Sequence, residues 1–227
     1  MSVGVIDYEA GNLRSIETAL EYLGATYVVS GDPDRLADCS RLVIPGVGDA
    51  AAAMDTLRAR GLDRLILDFA GRGLPVFGIC LGAQIVLDSS EENGARCLGL
   101  IPGRARAFRP TRTEKVPHIG WNRAAPKHHH HPLFNNLPED ASFYFVHSFY
   151  PEPESESDVL AQTEYGVRFA SAIARENVWA VQFHPEKSGR YGLRMLANYL
   201  DGAVHGDGAP AGDAQAGGTR SREGDSA

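Results

Sequence analysis

The segment Gly78-Ile79-Cys80-Leu81-Gly82 leaves this chain few ways to fold. An apolar run, Leu74-Pro-Val-Phe77, leads into it and another, Ala83-Gln-Ile-Val-Leu87, leads out, so the stretch reads as buried strand, sharp turn and helix start. Glycines on both sides of the cysteine suit such a turn, because backbone segments meet there at distances a Cβ would obstruct. A strand that passes straight into a helix is the unit of a parallel sheet with helices on its faces.

The first half repeats the unit. Val3 to Asp7 precedes Leu13 to Leu23, Leu42 to Ile44 precedes Ala50 to Arg60, and Val76 to Ile79 precedes Leu81 to Leu87. The predicted fold class is α/β, a central and mostly parallel sheet flanked by helices. Functional groups in such sheets gather beyond the carboxyl ends of the strands. Three of those ends carry unusual residues: Asp7-Tyr-Glu-Ala-Gly-Asn12, Pro45-Gly-Val-Gly48 and the cysteine turn.

The second half changes texture. Shorter runs at Arg104 to Phe108, Ser142 to Val146, Val159 to Thr163, Val167 to Ala174 and Val178 to Phe183 predict a smaller antiparallel or mixed β part, closed by a helix from about Ser188 to Leu200. One domain is expected over residues 1–201. Residues 202–227 are rich in Gly, Ala, Asp and Ser with too little apolar bulk to offset the entropy of ordering them, and are expected to form a disordered tail.

A formal charge of -7 offers no footprint for a nucleic-acid backbone or an anionic membrane, which leaves small molecules or a protein as partners. No stretch approaches the roughly 18 apolar residues of a membrane span, and the N-terminus lacks the parts of a signal peptide. Three cysteines, Cys39, Cys80 and Cys97, cannot all pair within the chain. A soluble cytoplasmic protein is the expectation.

Cys80, held at a helix N-terminus, is placed where backbone N–H groups and the helix dipole favour thiolate over thiol, which makes it a candidate nucleophile. Cys39 and Cys97 lack such surroundings and are assigned to packing or surface. The complementary group is in Val181-Gln-Phe-His184-Pro185-Glu186-Lys187-Ser188. Side chains two apart in an extended segment share a side, and Pro185 keeps His184 extended, so Glu186 can orient His184 as a general base. Singly, His184 is a strand-end histidine and Glu186 a first-turn carboxylate; only the pairing with Cys80 gives them complementary roles. The N–H of Leu81 and that between Val47 and Gly48 are the candidate oxyanion donors. The run His128 to His131 sits in a polar, Pro-flanked stretch and is not read as a metal site. No metal and no cofactor are called for.

With these residues in view, Gly78-Ile-Cys-Leu-Gly-Ala-Gln84 and Gln182-Phe-His-Pro-Glu-Lys-Ser188 together resemble the triad-type (class I) glutamine amidotransferases. Asp7 to Ser15, Pro45 to Gly48, Lys115 to Asn122 and Tyr144 to Tyr150 resemble, within that superfamily, the glutaminase subunits of imidazole glycerol-phosphate synthase. The resemblance covers roughly residues 3 to 200. It implies that Cys80 attacks the carboxamide of glutamine, that His184 is base and then acid toward ammonia, and that Glu186 orients His184. It implies glutamine contacts from Gly48, Gln84 and the backbone around His147, Ser148 and Phe149. It also implies that Trp121, Asn122, Tyr144 and Lys187 face a (β/α)₈-barrel cyclase subunit in a heterodimer. That partner would receive the ammonia through its interior and make imidazole glycerol phosphate and aminoimidazole carboxamide ribotide in histidine biosynthesis.

Three other readings stay open on sequence. A glutaminase subunit of the anthranilate or aminodeoxychorismate synthase type usually carries Pro-Gly-Pro-Gly where this chain has Pro45-Gly-Val-Gly48. A cysteine hydrolase or peptidase with the same elbow would use a separate His and Asn. An inactive regulatory relative would have no need of an intact Cys80, His184 and Glu186.

Overall fold

The computed structural model describes residues 2–9, 12–109 and 114–202. Strands β1 (Ser2–Ile6), β2 (Thr26–Ser30), β3 (Arg41–Ile44) and β4 (Val76–Ile79) are separated by helices α1 (Leu13–Tyr22), α2 (Pro33–Leu36), α3 (Ala50–Ala59) and α4 (Leu62–Gly71), and α5 (Leu81–Ile85) follows β4. Then come β5 (Ser89–Ser90), β6 (Gly103–Ala107), β7 (His118–Arg123), β8 (Ala125–Pro126), β9 (Ser142–His147), β10 (Phe149–Pro153), β11 (Val159–Tyr165), β12 (Val167–Arg175) and β13 (Val178–Val181). Helix α6 (Gly189–Gly202) closes the fold.

The main sheet runs β2-β1-β3-β4-β13-β12-β11-β8. Its β2-β1-β3-β4-β13 half is parallel and the remainder antiparallel. Side chains of β3 and β4 alternate between two cores. Leu42, Ile44 and Val76 pack under α3 and α4 with Leu57, Ile66 and Phe69, while Val43, Phe77 and Ile79 pack on the other face with Phe183, Met195 and Tyr199. Each fully buried side chain of this kind contributes about 1.5–3 kcal/mol, so a sheet covered on both faces is strongly fixed at its centre. There β4 lies between β3 and β13.

The smaller antiparallel or mixed β part expected in the second half is present as β10-β6-β5 and β7-β9, while β11, β12 and β13 extend the main sheet. Strand β13 is buried along its whole length and pairs in parallel with β4, so β12 and β11, the antiparallel partners that precede it in the chain, are drawn into the same sheet. Helix α6 runs to Gly202, and residues 203–227 of the expected tail lie outside the described residues.

Candidate active site

The groups singled out from sequence converge at the carboxyl ends of β1, β3, β4 and β13, which are neighbours in the sheet. Cys80 joins β4 to α5 with φ 55 and ψ -103, a positive-φ conformation costly for a residue with a side chain and typical of functional turns. Both flanking glycines are required by close approach. A Cβ on Gly78 would lie 2.6 Å from the carbonyl oxygen of Gly82, and one on Gly82 would collide with that of Ile44. The turn is pinned by the Cys80 N–H, which donates to the Val181 carbonyl at 2.8 Å.

His184 follows β13, and its Nδ1 lies 2.8 Å from Glu186 Oε1. They meet through a route the extended-segment reasoning did not foresee. The strand ends at Val181, His184 is extended (φ -101, ψ 93), and Pro185–Lys187 turn as a 3-10 helix with Pro185 at its start. Proline's fixed φ suits the first position of such a turn, so the Glu186 carboxylate swings back onto the imidazole. Both side chains are shut off from solvent, at 1% and 0% exposure.

Among the described residues, the other ring nitrogen of His184, Nε2, is buried without a hydrogen-bond partner of ordinary geometry, as is Glu186 Oε2. Burial works against a charge on His184. The interaction with Cys80 and then that with Glu186 outweigh it, and the imidazole's proton affinity is raised to about 10. The site thus favours a proton resting on His184 beside the sulfur. Two further contacts hold Cys80 Sγ: the thiol reaches the Val146 carbonyl at 3.8 Å, and Gln182 Nε2 donates to the sulfur at 3.6 Å.

Asn12 was not identified from sequence as a site residue, yet its amide donates to Glu186 Oε1. It occupies the N-cap position of α1 in a left-handed conformation, and its side chain makes no cap bond. An Asn there normally satisfies the helix N-terminus; here it reaches across to the carboxylate instead. Tyr8, from the same loop, donates its buried hydroxyl to the Pro45 carbonyl and so holds the start of the Pro45-Gly-Val-Gly48 segment. Beyond that anchor Val47 and Gly48 are exposed, and Gly48 has φ 110. The Leu81 N–H, an expected oxyanion donor, leans on the Gly46 carbonyl at 3.4 Å.

A cavity of about 300 Å³ opens beside the sulfur. Its lining includes Val47, Gly48, Leu81, Gln84, His147, Ser148 and Phe149, so every residue expected to touch substrate reaches one space with Cys80. Glu92 also lines it, a residue for which the sequence carried no local signal. Burial pushes the Glu92 carboxyl up, although the Ala50 N–H that it accepts at 2.8 Å pulls the other way.

Trp121, 60% exposed, and Tyr144 lie on paired strands with their rings 6.3 Å apart, and Lys187 is exposed on the turn after His184. Tyr144 adjoins the base directly, its carbonyl accepting the His184 N–H at 2.9 Å. Asn122 behaves differently: its amide donates to the Glu164 carbonyl at 3.0 Å, across to the neighbouring strand β11. Cys39 and Cys97 are buried, and burial pushes the Cys97 thiol up to about 11. In the histidine run, His131 Nδ1 accepts the Leu133 N–H and its ring packs edge-on to Trp179, a structural role.

Residues 4–202 match the family model described as glutamine amidotransferase class-I. Imidazole glycerol phosphate synthase subunit HisH of Nitrosococcus oceani is 48% identical over 203 residues, covering 88% of this chain and 96% of the relative. The subunit of the same name from Maridesulfovibrio salexigens is 44% identical, again covering 88% and 96%. Among solved structures, a glutamine amidotransferase superposes with a TM-score of 0.69 at 20% identity over 89% of this chain and 99% of its own. PurLQS from Thermotoga maritima does so with a TM-score of 0.69 at 20% identity over 88% and 97%. These two likenesses are of fold.

Proposed function

Because the chain belongs to the class-I glutamine amidotransferases and, within them, to the family of imidazole glycerol phosphate synthase subunit HisH, we propose that it is the glutaminase subunit of that synthase and works through Cys80, His184 and Glu186. The observation that carries the mechanism is the buried, unpartnered Nε2 of a histidine clamped by a carboxylate, beside a cysteine on a strained turn in a cavity wall.

The steps follow from that placement. Cys80 Sγ attacks the side-chain carboxamide carbon of glutamine, and the thiol proton resides on His184, whose imidazolium is balanced by Glu186. The C–N bond breaks as His184 returns the proton to the departing nitrogen, which leaves as ammonia. Water, deprotonated by His184, then cleaves the glutamyl thioester to glutamate and regenerates the thiol. The developing oxyanion needs N–H donors, and the backbone at Val47-Gly48 and at Leu81 is nearest to hand. For Leu81 this means exchanging its long contact with Gly46 for the substrate oxygen. The Glu92 carboxylate offers a counter-charge for the α-ammonium group of the amino-acid substrate.

Ammonia is a nucleophile only while unprotonated, so release into neutral water would waste most of it. The exposed Trp121 and Lys187 and the half-buried Tyr144 lie on the side of His184 and Glu186, where a cyclase subunit seated on them would cover the site and take up ammonia at its source. The test is glutamate release by the purified chain, alone and with the cyclase subunit and its nucleotide acceptor. Cys80→Ala should abolish glutamine-dependent synthesis and leave ammonia-dependent synthesis intact; loss of both in an assembled complex would overturn the division of labour.

A further inference from the structure

Two histidines outside the proposed reaction face each other in the interior. His118 on β7 and His147 on β9 are directly paired in the antiparallel ladder, both nearly fully buried, with His118 Nδ1 and His147 Nε2 2.9 Å apart. His147 lines the cavity; His118 lies behind it, stacked between Tyr165 (ring centroids 4.0 Å) and Phe145 (4.9 Å).

The tautomers follow from the neighbours. His147 Nδ1 is 2.7 Å from the Phe149 carbonyl oxygen, which can only accept, so Nδ1 carries the hydrogen. Burial first, and His118 and His184 after it, hold His147 far below the usual histidine range, to about 3, so the ring is neutral and its Nε2 can only accept. His118 must therefore donate from Nδ1. Burial likewise lowers His118, to about 4, which leaves its Nε2 as an acceptor for the Asn122 amide at 3.4 Å. The hydrogen bonds all run one way: Asn122 to His118 to His147 to the Phe149 carbonyl.

That carbonyl is also reached from the opposite side. Gln84 Nε2 donates to it at 3.2 Å and to Gln182 Oε1 at 3.2 Å, and Gln182 Nε2 donates to the Cys80 sulfur. The Phe149 carbonyl is thus the junction of a chain from the nucleophile and a chain from the strand that bears the exposed Ile119 and Trp121.

We infer that Asn122, His118 and His147 form a one-way hydrogen-bond relay that positions the Phe149 carbonyl, and with it the Ser148-Phe149 rim of the substrate cavity. The inference rests on reading that cavity as the glutamine site. His118 touches no reacting atom and is a positioning residue; its ring does what a phenyl ring of similar size cannot, accepting at one edge and donating at the other.

The test has two parts. In the ¹⁵N-labelled chain, two-bond ¹H–¹⁵N spectra should show both His118 and His147 protonated on Nδ1, the form less common in free histidine, and neutral at pH 7. Protonation on Nε2 at His147 would overturn the relay, and this readout needs no substrate. In complex with the cyclase subunit, His118→Phe keeps the stack but removes donor and acceptor; KM for glutamine should rise roughly tenfold, the effect of leaving one buried partner unmet, with kcat changed less than about threefold. His118→Gln, able to accept and donate, should restore KM to within about threefold of wild type. A purely packing role predicts the reverse order, Phe tolerated and Gln not, and that outcome would refute the proposal. Should His118→Phe fail to assemble, a His118→Gln KM raised tenfold or more would refute it alone. Absence of glutaminase activity in the wild-type complex would instead refute the functional reading, while the tautomers still judge the relay.

Discussion

Asn12 gives the sharpest test of how the base is held, because its side chain and its backbone make separable contributions. The side chain donates to Glu186 Oε1, the oxygen that also faces His184 Nδ1, while Oε2 of the same buried carboxylate has no partner. Among the described residues, removing the amide leaves His184 as the one side chain hydrogen-bonded to that carboxylate. A hydrogen bond to a charged group is worth about 1.5–3 kcal/mol, and if it is felt in the step that charges His184, kcat/KM for glutamine should fall roughly 10- to 150-fold. The backbone at Asn12 is left-handed, with φ 79 and ψ 8. Alanine is strained there by about 1–2 kcal/mol, whereas glycine is not. Asn12→Gly and Asn12→Ala should therefore share one loss of activity but differ in stability, the alanine variant melting several degrees lower. Glutamate release in the cyclase complex, ammonia-dependent synthesis as the assembly control, and thermal melts of each variant complete the assay. Glutaminase activity of Asn12→Gly within twofold of wild type, or a loss that tracks melting temperature, would refute this account of Glu186.

Three further outcomes are expected. His184, raised to about 10 chiefly by Cys80 against the opposing effect of burial, should be cationic at pH 8 in the wild type; Cys80→Ala leaves only Glu186 to oppose burial, so the ring should lose its proton at lower pH. Imidazole ¹⁵N shifts measured from pH 5 to 11 report this directly, and an unchanged titration would show that the sulfur does not hold the proton. Glu92→Gln should raise KM for glutamine roughly 10- to 100-fold by removing a charged partner for the α-ammonium, with steady-state kinetics as the check; an unchanged KM would place that ammonium elsewhere. Gly78→Ala should cost about 1–3 kcal/mol, since its Cβ would press on the Gly82 carbonyl at 2.6 Å in a turn that cannot widen. Denaturant midpoints measure that cost, and no loss would mean that the turn yields.

What could be read from the chain was what lies close along it. The Cys80 turn is written in one consecutive stretch, Leu74 to Leu87, and the Asp7, Pro45 and Gly78 segments announce strand ends because each breaks an apolar run. Asn12 and Glu186 are 174 residues apart, Gln182 and Cys80 102, and such pairs meet only because β1, β4 and β13 share one sheet. No local pattern marks them. Strand β2 escaped notice because it is a half-exposed edge, where the apolar signal is diluted. Helix α4 is different: Leu62, Leu65, Ile66 and Phe69 carry the helical period, so that element is legible in the sequence. The Glu186 placement was anticipated for a reason that does not hold, since the segment turns after His184 rather than continuing extended.

The interior groups that tie the cavity to its surroundings are neutral. Gln84, Gln182, His118, His147 and Asn122 pass hydrogen bonds, not charge, so a shift of β7 reaches the Phe149 carbonyl as a change of geometry. The charged pair, His184 and Glu186, is held by other elements, the α1 start through Asn12 and the turn after β13. Proton transfer and substrate positioning therefore have separate side-chain supports, joined through the β9 backbone, where Tyr144 accepts the His184 N–H. A perturbation of β7 should then move KM, a perturbation of Asn12 should move kcat, and a double variant of His118 and Asn12 should show nearly additive effects on kcat/KM. Strong coupling between the two would mean that one support runs through the other, and the separation drawn from the hydrogen bonds would have to be given up.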